Sequence, residues 1–90
     1  MQIKNCPLCH PQHEIYVEGE DYRVLCTSEP NHYILASREH LPCTASALSK
    51  CRWIFDVIGG MGWPMEIVIQ LNGHQMGVNH LSVHLYRRPG

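Results

Sequence analysis

The residues with the clearest chemical content lie near the end of the chain, where Asn79-His80-Leu81-Ser82-Val83-His84-Leu85 alternates polar with apolar side chains. On a β-strand this pattern sends His80, Ser82 and His84 to one face and Leu81, Val83 and Leu85 to the other. The apolar face can enter a core, which leaves two imidazoles and a hydroxyl for metal binding, proton transfer or ligand contact. Side chains on one strand face repeat about every 7 Å, so His80 and His84 stand about 13 Å apart. That span is too wide for one metal ion. The two histidines must do different work.

A second constellation is Cys6-Pro7-Leu8-Cys9. Two thiolates at this spacing suit a tight knuckle that presents both sulfurs to one tetrahedral ion, and zinc would then need two further ligands. The same pair could be a redox dithiol or two buried thiols, although it does not lie between a strand and a helix as a redox motif should. His10, His13, His32, His40, His74, His80 and His84 are all candidates for the remaining ligands. Spacing alone does not choose among them.

These side chains need a scaffold. Glu14 to Val17 and Tyr22 to Cys26 are short β-rich runs around a hairpin turn at Glu18-Gly19-Glu20-Asp21, and His32 to Ser37 is a third. Thr44 to Ile58 carries Ala47, Leu48, Cys51, Ile54, Phe55 and Ile58 at helical spacing, with Thr44 as N-cap and Gly59-Gly60 as the stop. That helix is expected to bury Leu48, Cys51, Phe55 and Ile58 against Leu81, Val83 and Leu85. A loop at Gly60 to Pro64, a strand over Glu66 to Asn72 and a turn at Gly73 to Gly77 lead into the final strand. The expectation is an α+β domain spanning residues 1–90, a five-stranded antiparallel sheet with one helix packed on one face.

Ninety residues support only a small core, for which a metal or a dimer contact would be a useful staple. A net charge of −1 with seven Lys and Arg gives no electrostatic footprint for duplex nucleic acid or an anionic membrane. No apolar run is long enough to span a bilayer, and Met1 to Asn5 lacks the apolar centre of a signal peptide. With an odd cysteine count, this points to a cytoplasmic chain whose thiols bind metal rather than pair.

The segment from His32 through Tyr33-Ile34-Leu35-Ala36-Ser37-Arg38-Glu39 to His40 resembles the histidine-to-histidine strand of histidine-triad (HIT-like) proteins. Asn72-Gly73, a turn, and His80-x-Ser82-x-His84 resemble that family's asparagine-glycine turn leading into three alternating histidines. The order of elements is also similar, and the resemblance covers essentially the whole chain. It implies a HIT-like fold that binds a nucleotide or dinucleotide, and it makes a homodimer an expectation by analogy. From the zinc-containing branch, related to galactose-1-phosphate uridylyltransferases, it implies a structural Zn2+ held by Cys6, Cys9, His40 and His80.

One departure weighs heavily against turnover. The position of the family's nucleophilic histidine holds Ser82, and a serine hydroxyl is weak without a base. The resemblance therefore implies no catalytic residue in the family's sense, only degenerate positions at Ser82 and His84. Asn72, Gln75, Gly77, Ser82 and His84 are the expected nucleotide cradle, with Gln75-Met76-Gly77 displaced in register from the family's glycine-glutamine pair and Glu29 a candidate for the ribose contact. A catalytically impaired nucleotide-binding protein, which could sequester a signalling nucleotide, is the leading expectation. The alternatives are a nucleotidyl hydrolase or transferase with a non-standard nucleophile and a zinc-stabilised protein-interaction module using Trp53, Trp63, Met61 and Met65.

Overall fold

The structure, a computed structural model, describes residues 6, 8, 9, 13–69 and 80–88. Five strands, β1 (Ile15–Glu18), β2 (Tyr22–Cys26), β3 (His32–Ser37), β4 (Met65–Val68) and β5 (Ser82–Arg87), form one antiparallel sheet in the order β1-β2-β3-β5-β4. The expected fold class, α+β on a five-stranded antiparallel sheet, is the one observed. Gly19 makes the β1–β2 turn, where its N–H donates to the Tyr22 carbonyl at 2.9 Å. A Cβ at Gly19 would run into the Tyr22 ring, so any other residue here would force that ring to shift. Asn31, with φ of 62°, turns the chain into β3 in the left-handed region that asparagine tolerates better than most residues.

The central strands are the ones whose sequences can be buried on both faces. β3 pairs with β5 through His32↔Tyr86, Ile34↔His84 and Ala36↔Ser82. Val24, Leu35, Leu81, Val83 and Leu85 make the core on the helical side, as the alternation of the final segment requires. The opposite face is not left open. Leu25, Ile34 and Ala36 there are covered by Cys6, Leu8 and Cys9 in a second apolar cluster. His80, Ser82 and His84 are accordingly buried, at 1%, 2% and 9% exposure, on the face expected to stay accessible.

The helical segment differs from expectation. It is divided into α1 (Ala45–Lys50) and α2 (Trp53–Met61). Thr44 caps α1 as expected, its hydroxyl accepting from the Ala47 N–H. Cys51, at φ −105° and ψ 64°, then leaves helical geometry and resets the phase. Within α2 the inward stripe is Ile54, Val57, Ile58 and Met61, an i, i+3, i+4, i+7 set. Phe55 sits about 100° round the helix from Ile54. It is 59% exposed where Ile54 is 1% exposed, which corrects the expected core position of Phe55. The stop also moves, because Gly59 and Gly60 lie inside α2 and the left-handed residue that ends it is Gly62, with φ of 66°.

Candidate metal centre and histidine pair

The β3/β5 register explains which histidines can meet. Because the strands are antiparallel with Ala36 opposite Ser82, the end of β3 lies beside the start of β5. His40 follows β3 and His80 precedes β5. Two backbone bonds knit these flanking segments together, Ser37 N–H to the Leu81 carbonyl at 3.2 Å and Leu81 N–H to the Leu41 carbonyl at 2.7 Å. The cluster on the second face brings Cys6 and Cys9 to the same place, and Arg23 Nη1 holds the Cys9 carbonyl at 3.2 Å.

The ligand atoms of Cys6, Cys9, His40 and His80 all lie within 4.8 Å of one another, and these four could hold a metal ion. His80 Nδ1 stands 3.3 Å from Cys6 Sγ, 3.5 Å from Cys9 Sγ and 3.2 Å from His40 Nδ1, and His40 Nδ1 is 3.2 Å from Cys9 Sγ. A tetrahedral ion with ordinary zinc bond lengths would separate nitrogen from nitrogen by about 3.4 Å and nitrogen from sulfur by about 3.6 Å. The observed edges are close to those. His80 is also oriented for the task. Its Nε2–H donates to the Ser37 carbonyl at 2.7 Å, a partner that can only accept, and this leaves the Nδ1 lone pair pointing at the cluster. Burial and the neighbouring His40 push the His80 pKa down, against the bond to Ser37, so the neutral, metal-ligating form is favoured.

A second histidine pair stands farther along the same sheet face. His32 Nε2 and His84 Nδ1 are 2.7 Å apart, and the Tyr86 ring stacks on His32 at 4.4 Å and 5°. His32 Nδ1, His84 Nε2 and Ser82 Oγ are buried and make no hydrogen bond among the described residues. Buried polar atoms left this way each cost about 1 to 3 kcal/mol, which makes the cluster a place where a ligand would gain most. Burial, then His32, pushes the His84 pKa down, with Glu29 opposing. His32 is the member that sequence reasoning did not place in the site. Its signal was the strand pairing, since a residue opposite Tyr86 on the face of His84 lies diagonally beside His84.

Of the expected nucleotide cradle, Ser82 and His84 share this face, whereas Asn72, Gln75 and Gly77 lie outside the described residues, as do His10 and His74. Glu29 stands at the start of β3, with its carboxylate 3.8 Å from His32 Nδ1. Trp53, Met61 and Met65 pack against the helical-side core. Trp63 packs against Tyr16 and Tyr33, with the Arg87 guanidinium 4.8 Å over its ring. Among the described residues no helix is long and apolar enough to cross a membrane.

The chain is similar in fold to a solved structure of a histidine triad protein from Clostridium difficile, with a TM-score of 0.73 over 100% of this chain and 96% of that one at 14% sequence identity. No family model matches the sequence, and no curated protein does either.

Proposed function

We propose that this chain is a HIT-like nucleotide-binding protein with a structural zinc, in which Ser82 has replaced the nucleophilic imidazole and with it ordinary hydrolysis. The observation that carries the reading is the division between His80, just ahead of β5, and Ser82 and His84 within it. His80 faces two cysteines and a second imidazole, while Ser82 and His84 stand buried with polar atoms that have no partner among the described residues. The histidine-triad fold neighbour supports the same assignment by analogy of architecture.

For the metal, two thiolates and two neutral imidazoles suit zinc, and together they make an electrically neutral site with all four tetrahedral positions filled by protein. Such a centre stabilises rather than catalyses. It pins the segment carrying Cys6, Leu8 and Cys9 over Leu25, Ile34 and Ala36. A reducing, cytoplasmic setting fits thiols used this way, and none of the five cysteines forms a disulfide.

For the ligand, Ser82 and His84 would form one wall of the phosphate end, with Asn72, Gln75 and Gly77 proposed to complete it. Ser82 is poorly placed to attack, because its hydroxyl makes no hydrogen bond to His84 or to any other described base. The test is to offer the purified protein a dinucleoside polyphosphate and a nucleoside phosphoramidate and to follow binding and product separately. Binding without enzyme-like turnover is expected, with measurable hydrolysis appearing in Ser82→His if the cradle is intact. Efficient hydrolysis by the unaltered protein, abolished in Ser82→Ala, would contradict the reading and make Ser82 the nucleophile.

A further inference from the structure

The His32–His84 pair obeys a proton count that limits what it can bind. The two rings meet at 2.7 Å, close enough that one proton must bridge His32 Nε2 and His84 Nδ1. Two nitrogens remain at the outer ends, His32 Nδ1 and His84 Nε2, both buried and without a hydrogen bond among the described residues. A neutral pair carries one proton per ring. After the bridge takes one, a single proton is left for the two outer nitrogens, so a neutral pair donates at one end only. Donation at both ends needs a third proton and a net charge of +1.

The surroundings call for donation at both ends when an anion is bound. Beyond His32 Nδ1, at 3.8 Å, stands the Glu29 carboxylate, which can only accept once ionised. Beyond His84 Nε2 no described acceptor is within reach, while Ser82 Oγ is buried on the same strand face without a partner among the described residues. We propose that Glu29, His32 and His84 form an anion-binding element that takes up one proton from solvent together with a phosphate-class anion: His84 Nε2–H donates to the anion, the bridge is kept, and His32 Nδ1–H donates to Glu29. The proposal rests on the nucleotide-site reading only for the source of the phosphate.

The other groups facing the pair are consistent with this charge. Tyr86 lies flat on His32 and offers its ring face to a cation. Glu66, opposite Tyr86 on β4, adds a carboxylate that is partly offset by Arg88 at 3.9 Å. Ile34 and Val68, the strand neighbours of His84, carry no charge. In the free protein burial, then the His32 ring, oppose a proton on His84, with Glu29 acting the other way. The proton therefore arrives with the anion rather than before it.

The test is calorimetry on the full chain as purified, at pH 7, in buffers of different ionisation enthalpy. The probes are diadenosine diphosphate and inorganic sulfate, neither of which has an acid group titrating near neutrality. The expected result is uptake of about one proton per bound diadenosine diphosphate, with affinity falling towards tenfold per pH unit as the pH is raised. Glu29→Gln, at an exposed side chain, should stay folded and weaken binding roughly twofold to fivefold, as for an exposed charge pair. Binding of diadenosine diphosphate with no proton taken up would overturn the proton-coupled element and leave the nucleotide reading standing. Proton-coupled binding of sulfate without the dinucleotide would support the element and remove the nucleotide as its ligand. No binding of either probe at pH 6 would overturn both.

Discussion

Ser82 separates two histidines with different surroundings, and neighbours rather than residue type set them apart. His80 has a backbone carbonyl on one nitrogen and sulfur on the other, an arrangement suited to a metal. His84 has an imidazole on one nitrogen and no described partner on the other. The depressed pKa of His84 has a stability consequence whose sign follows from linkage. Unfolding releases His84 to an ordinary histidine pKa near 6.5, so below that pH the unfolded chain binds the proton more readily. The contribution is whole above about pH 6.5 and is lost as the pH falls, by up to about 1.4 kcal/mol per pH unit. Denaturant titrations from pH 7.5 to 5 should therefore show a shallower acid loss in His84→Gln than in the unaltered protein. Identical pH profiles would mean that His84 titrates normally in the folded state. That His80 and His84 keep different partners was legible in the sequence, because strand spacing is fixed by backbone geometry. The partnership of His32 with His84 was not, because it depends on which strands are neighbours.

At the scale of elements, the strands were recoverable from alternation and turn residues, and the helix was not recovered whole. A single 3.6-residue period from Thr44 to Ile58 would place Phe55 with Leu48 and Cys51. The break at Cys51 discards that phase and substitutes the stripe of Ile54, Val57, Ile58 and Met61. Nothing in Lys50-Cys51-Arg52 advertises a break, since none of these residues is glycine or proline. The difference is measurable. Ile54→Ala should cost about 2 to 5 kcal/mol, whereas Phe55→Ala, at an exposed site, should stay within about 0.5 kcal/mol of the parent. A larger loss for Phe55→Ala than for Ile54→Ala in denaturant midpoints would restore the continuous helix. The edge strands β1 and β4 carry exposed Ile15, Tyr16, Val17, Ile67 and Val68, so the most apolar exposed strand surface lies where no further strand pairs among the described residues.

At the scale of the whole molecule, the sheet divides two apolar clusters. One is closed by α1 and α2, and the other by the segment holding Cys6, Leu8 and Cys9. A chain this short has little core to spare, and in the proposed assignment the metal joins the N-terminal segment to both central strands at once. The most direct measurement of that account is the zinc content of purified His80→Ala and His84→Ala beside the unaltered protein. About one equivalent should be present in the unaltered protein and retained in His84→Ala, and it should be lost from His80→Ala together with thermal stability. Retention in His80→Ala with loss from His84→Ala would contradict the division between His80 and His84.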